Sequence, residues 1–296
     1  MNEQNETAQL RFLEETAIRL RQNGFTVEPI EDHHLPVCWE KGRLCRISGK
    51  GSVLYRQEMR EVLTVPTYAT NCLTGVVMFP VLLVVMAVGI GRETDGMALS
   101  EVVAQFVPKS IYLAVAAGFL ALTCTMGLAV STAVSREGAR HDMRRIYPVA
   151  GSVQLGAKLL MGMTFNLAAA LVSAVALWVL LPGMWLETLG ALAVSQLFSL
   201  LWCLMSLLLD VYHPKLKWKT ETEAVKQSMN AMISMFGGMI LIAVLVGAAV
   251  LLTLWGWPVS AALGADVVLL ALLDAALWMV LSRRASITYC LREYSK

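Results

Sequence analysis

Two uncharged runs bracket the segment from Ser135 to Lys158, and each is long enough to cross a lipid bilayer. Lys109 to Arg136 encloses 26 positions without a charge, and Lys158 to Glu187 encloses 28. About 20 predominantly apolar residues span the hydrocarbon core as a helix. The chain as a whole is 57% hydrophobic and 16% charged, with a mean hydropathy of +0.61, which excludes a soluble domain of ordinary composition. Further apolar runs place spans near residues 68–90, 111–134, 159–181, 188–209, 231–254 and 260–282. The expected fold is therefore an all-α polytopic membrane protein with six transmembrane helices. Pro182 and Gly183, and then Gly256, Trp257 and Pro258, mark hairpins between spans, where Trp185, Trp255 and Trp257 suit an aqueous interface.

The placement of positive charge orients these spans. Of the 24 lysines and arginines, 22 fall in the amino-terminal region, the 135–158 and 210–230 loops and the carboxyl tail; only Arg92 and Lys109 fall on the other side. Cytoplasmic loops carry such an excess, so both termini are expected in the cytoplasm. The net charge of +2 gives no indication of a nucleic-acid partner. The first 60 residues hold no apolar core for a secretory signal.

Ser135 to Lys158 is the longest polar stretch inside the apolar region. It carries Arg136, Arg140, Arg144, Arg145 and Lys158 against Glu137 and Asp142. Arg140 and Arg144, and Met143 and Tyr147, recur at helical spacing, and Pro148 stops the turn. A short amphipathic helix at the cytoplasmic membrane face is expected. In the second loop, Asp210 to Asn230, Pro214 ends the fourth span and Thr222 with its acidic neighbours can start a helix leading into the fifth. Glu221 or Thr222 then precedes Val225 or Lys226 by four residues, as on a solvated helix; a plain charged connector fits the same pattern.

Residues 1–54 differ sharply in composition from residues 55–296. Leu10, Leu13, Ala17 and Leu20 share one helix face that Asn23 and Gly24 should end, and Phe25 to Ile30, Pro36 to Glu40 and Arg43 to Ile47 read as strands. Such a cytoplasmic α+β module has a small core. Cys38 and Cys45 sit opposite one another if Lys41 and Gly42 form a two-residue turn, whereas a three-residue loop closed by Gly42 shifts the register. Tyr55 to Val65 has Tyr55, Met59, Val62 and Leu63 on one side and Arg56, Arg60 and Glu61 on the other. That suits an interfacial helix, or equally the polar start of a long one.

Catalytic signatures fail on inspection. Gly151 to Lys158 has two glycines with four residues between them, but Ala157 intrudes before the lysine and Leu159 stands where a P-loop needs Ser or Thr for magnesium. Asp266 and Asp274 lie on one span, and Gly264-Ala265-Asp266 lacks the second glycine of an intramembrane aspartyl protease. Intramembrane carboxylates otherwise form a polar path or pair within the bundle, and both readings stand for these two. All four histidines lie in polar segments, away from the serines of the spans. The six cysteines and the pair His33, His34 match no common zinc spacing. Asn166 and Gln196 fit interhelical hydrogen bonds.

Three stretches carry a resemblance to a known family. Ser135, Arg136, Glu137 and Gly138, followed by Arg145 three residues before Pro148 and by Lys158, form the first. Asp210, Pro214, Lys215, Leu216, Trp218, Glu223, Ala224, Val225, Lys226, Gln227 and Asn230 form the second, and Glu58, Pro66, Tyr68 and Asn71 the third. Together they resemble ABC-2-type exporter permeases of Gram-positive bacteria, specifically the second half of the longer members. The resemblance implies a type V exporter-like bundle in a bacterial cytoplasmic membrane, with no catalytic residues of its own. It also implies a separate ABC ATPase that holds ATP and magnesium, with Arg136, Glu137, Gly138, Arg144, Arg145, Pro148 and Lys158 in the coupling loop. A homodimer or a pairing with another permease half follows from the half length. A non-transporting membrane scaffold or sensor, or a permease remnant, is the alternative.

Overall fold

The computed structural model describes residues 18–19, 22, 26–29, 37–40, 43–48, 50–93, 100, 103, 107–125, 127, 129–141, 149–225 and 228–291. Three strands, β1 (Thr26–Pro29), β2 (Val37–Glu40) and β3 (Arg43–Ser48), form an antiparallel sheet in the order β1-β3-β2. Glu40 is paired with Arg43 and Cys38 with Cys45, the register of a two-residue connection. Most of the expected helix over residues 10–20 lies outside the described residues.

Helices α1 (Lys50–Thr64) and α2 (Pro66–Glu93) are separate, because Pro66 has no backbone N–H with which to continue α1 but is well suited to open α2. On α1, Leu54, Glu58 and Val62 recur every four residues and are buried. Val62 packs with Met161 and Phe165 of the third span, and the Tyr55 hydroxyl lies 3.0 Å from Thr164 Oγ1. The covered face of α1 therefore meets protein, and Leu63, expected on that face, is exposed.

Among the described residues, five helices are long and apolar enough to cross a membrane: Pro66–Gly89, Gly151–Leu180, Pro182–Tyr212, Met229–Leu254 and Val259–Tyr289. They contain α2, α4 (Gly151–Leu180), α5 (Trp185–Tyr212), α7 (Met229–Leu254) and α8 (Val259–Val280). The last continues through a wide π turn at Leu281–Ala285 into α9 (Ser286–Leu291). The short α6 (Glu221–Val225) stands in the loop between α5 and α7. Gly256, with φ of +90°, makes the turn between α7 and α8.

The expected span over 111–134 is not one helix. Helix α3 (Lys109–Thr125) has 17 residues, and Ala129–Val134 turns without helix. At its end Thr123 Oγ1 and Cys124 Sγ both donate to the Leu120 carbonyl, and Thr125 Oγ1 donates to that of Leu122. Such back-bonding competes with the helical ladder. Irregular backbone is tolerated at membrane depth only where protein covers it, and residues 129–138 are all buried. Glycines permit the covering. A Cβ on Gly162 would collide with Val130, and one on Gly238 would stand 2.5 Å from Thr125 Cγ2.

Candidate functional site

The turn after α3 runs into a 3-10 turn at Ser135–Arg140, and this segment anchors a buried polar cluster. Ser135, Arg136 and Glu137 are at most 2% exposed, so the expected solvated loop is interior at its start. The reason is the number of partners that other elements bring to it.

Asp210, in the last turn of α5, accepts hydrogen bonds from the backbone N–H groups of Val134 (2.6 Å) and Ser135 (3.0 Å) and from the Ser135 hydroxyl. Asn230 at the start of α7 adds a fourth donor at 2.9 Å and also donates to the His213 carbonyl. Four donors around one carboxylate offset much of the cost of burying it. Beyond Pro214 the chain returns to the same serine. Lys215 N donates to Ser135 Oγ at 2.9 Å, and Trp218 Nε1 donates to the Ser135 carbonyl at 2.9 Å. The Trp218 ring lies on Gly138, whose φ of +50° and ψ of −129° leave no room for a side chain.

Glu137 joins a second group. Lys158 Nζ is 2.8 Å from Glu137 Oε1 and 2.8 Å from Glu58 Oε1, and it donates to the Ala133 carbonyl at 3.1 Å. Lys158 was expected at the edge of its span; it lies instead in the second turn of α4, which begins at Gly151. Tyr289 of α9 donates its hydroxyl to Glu137 at 2.9 Å, and His141 Nδ1 is 2.6 Å from the other carboxylate oxygen. Arg136 stacks its guanidinium over the Tyr68 ring at 5.4 Å, and Arg140 pairs with Glu61 at 2.8 Å. The buried Lys158 ammonium is both paired with two carboxylates and hydrogen-bonded to a carbonyl, which offsets part of the cost of taking it out of water.

The sequence-derived site residues thus divide into three groups. Arg136, Glu137, Gly138, Lys158, Asp210, Pro214 and Trp218 gather at one end of the bundle. Glu223 stands at its edge, where the Lys219 N–H and the Lys215 ammonium hold its carboxyl below the usual carboxylate range. Arg144, Arg145, Pro148 and Lys226 lie outside the described residues. Asp266 and Asp274 join neither the cluster nor each other. Two positions eight apart on a helix point about 80° apart; Asp266 lines a cavity, whereas Asp274 is buried and neither carboxylate oxygen has a hydrogen-bond partner among the described residues.

Tyr289, His141 and Gln154, whose Oε1 lies 3.4 Å from the Tyr289 hydroxyl, entered the cluster unforeseen. The Glu137–His141 separation of four residues was a local signal. Tyr289 had none, since it reaches Glu137 across 152 residues of chain. No cluster of metal-ligating side chains occurs among the described residues.

No family model, curated protein or solved structure matches this chain. The architecture is that of a multi-pass helical membrane protein with a polar cluster at one end of the bundle.

Proposed function

We propose that the chain is the transmembrane permease subunit of an ABC-2-type exporter, moving its cargo when a separate ATPase hydrolyses ATP. One observation carries this reading. The three stretches that resemble such permeases are far apart in sequence, yet Glu58 and Tyr68, Ser135 to Gly138 with Lys158, and Asp210 with Trp218 and Asn230 contact one another in a single buried cluster.

A rigid connection of this kind suits a coupling element. It ties α1, α2, α4, α5, α7 and α9 to one short segment, so a force on that segment moves several spans as a body. Arg144 and Arg145, next along the chain, supply the basic surface for an ATPase cleft, and the ATPase holds ATP and magnesium. Six crossings are counted by taking α3 with the buried turn after it as one of them. Both termini then lie in the cytoplasm of a bacterial cell, as the positive-charge bias requires. Six crossings make half of an exporter, and a homodimer or a second permease half completes it.

The test is affinity purification of the tagged chain from its native membrane in mild detergent. An ATPase at one copy per chain, lost with Arg145→Glu, is the expected result. Absence of an ATPase from a preparation that remains folded overturns the reading in favour of a scaffold or sensor.

A further inference from the structure

The half of the bundle remote from the polar cluster holds a cavity of about 510 Å³ between α3, α5, α7 and α8. Ligand cavities typically measure about 300–1,000 Å³ and combine apolar walls with a few polar groups. Here Ala117, Phe198, Leu245 and Leu270 are typical of the wall. Val115, Val246 and Val250 also line it and are exposed, so the cavity is open between helices on the lipid-facing side.

Among the lining residues Asp266 alone is ionisable. Ser195 and Thr253 also line the wall, but each donates its hydroxyl to a carbonyl of its own helix, Leu192 and Val250 respectively. Asp266 makes no hydrogen bond or ion pair with any described residue. It is the eighth residue of α8, about 10 Å along the axis from the Pro258 end, well inside the span. A carboxylate at that depth is costly unless a cation or water meets it, and such residues mark ligand or ion pathways.

We propose that this cavity binds a monovalent hydrophobic cation, with the charged group against the Asp266 carboxylate and the apolar body against the wall of α3 and α7. A metal ion would find one carboxylate where it needs several oxygen ligands. A neutral lipid chain would fill the wall but leave Asp266 without a partner, and an anion would be repelled by it. Binding stands on this geometry alone; that the bound cation is cargo rests on the permease reading.

The probe is radiolabelled tetraphenylphosphonium, measured by equilibrium dialysis on the full chain in lipid nanodiscs, with empty nanodiscs as background. Saturable binding is expected, with Asp266→Asn weakening it about tenfold or more as a partly desolvated ion pair is lost. Asp266→Glu retains binding. Gly118→Phe abolishes it by filling the cavity, since Gly118 lines the wall and a Cβ there meets nothing within 4 Å. Tetraphenylborate, of the same shape and opposite charge, should not compete. Wild-type binding no greater than that of empty nanodiscs, unchanged affinity in Asp266→Asn, or equal competition by tetraphenylborate each overturns the proposal. The assay contains no ATPase. Loss of cation binding with ATPase co-purification intact therefore removes the cavity proposal alone, and the converse removes the permease reading alone.

Discussion

Asp210 holds Ser135 by both of its donors, the backbone N–H at 3.0 Å and the hydroxyl, at a sequence separation of 75. This contact fixes the end of α5 to the turn that follows α3. The Asp210 carboxylate is completely buried, and its four donors come from Val134, Ser135 and Asn230.

Asp210→Ala should destabilise the protein by about 3–5 kcal/mol, because each buried donor left without an acceptor costs about 1–3 kcal/mol and relaxation recovers part of it. Asp210→Asn presents an amide N–H to other donors and should also lower the midpoint. Thermal unfolding in detergent, followed by size-exclusion chromatography, checks both; a midpoint within error of wild type would remove Asp210 from this role.

Lys158→Met takes away the ammonium that Glu58 and Glu137 share. A buried pair broken on one side typically costs about 3–5 kcal/mol. Adding Glu58→Gln removes one of the stranded charges, so the double variant should be less destabilised than the sum of the singles, by about 1–3 kcal/mol. The double-mutant cycle measures this coupling, and strict additivity would contradict it.

Gly138→Ala places a Cβ 2.8 Å from the Trp218 ring at a φ of +50°. Backbone strain of this kind costs about 1–3 kcal/mol, and the ring must also move. A lowered midpoint with a shift in tryptophan emission is expected, while Gly183→Ala, which meets nothing within 4 Å, should change neither.

Gly162→Ala drives a methyl group into Val130 and should expel the non-helical turn from α4. Val130→Ala on the same background opens that space, so the double variant should recover much of the midpoint lost by the single. If Val130→Ala only adds to the damage, the glycine serves something other than this close approach.

Glu223 titrates below the ordinary glutamate range because the Lys219 N–H and the Lys215 ammonium favour its charged form. A carboxyl depressed in the folded state contributes stability that is full above its unfolded pKa, about 4.3, and is lost as pH falls through the folded value. Carboxyl carbon-13 shifts of the labelled protein should therefore move at lower pH than those of a free glutamate, and Lys215→Met should raise the titration.

Much of the architecture was legible residue by residue. Apolar runs of sufficient length become helices in lipid because every backbone group must be satisfied within its own segment. Proline and glycine end them for reasons local to the backbone, as at Pro66, Pro182 and Gly256. The same locality made the pairing of Cys38 with Cys45 one of two registers open to the sequence. The end of α3 at Thr125 was not legible, since an uncharged run looks the same whether it continues as helix or turns back under cover of other helices.

The polar cluster belongs to the other category. Ser135 to Lys158 reads as a solvated basic loop because charge in sequence is ordinarily charge at the surface. Its first residues are buried because Glu58, Asp210, Asn230 and Tyr289 arrive from distant parts of the chain with matching hydrogen-bond partners. Composition and run length determined that this chain has apolar helices long enough to cross a membrane, though not where each begins, since α4 starts eight residues before its expected span. Only the tertiary structure decided which charges lie inside and with whom, because the cost of burying a charge depends on partners that local sequence does not contain.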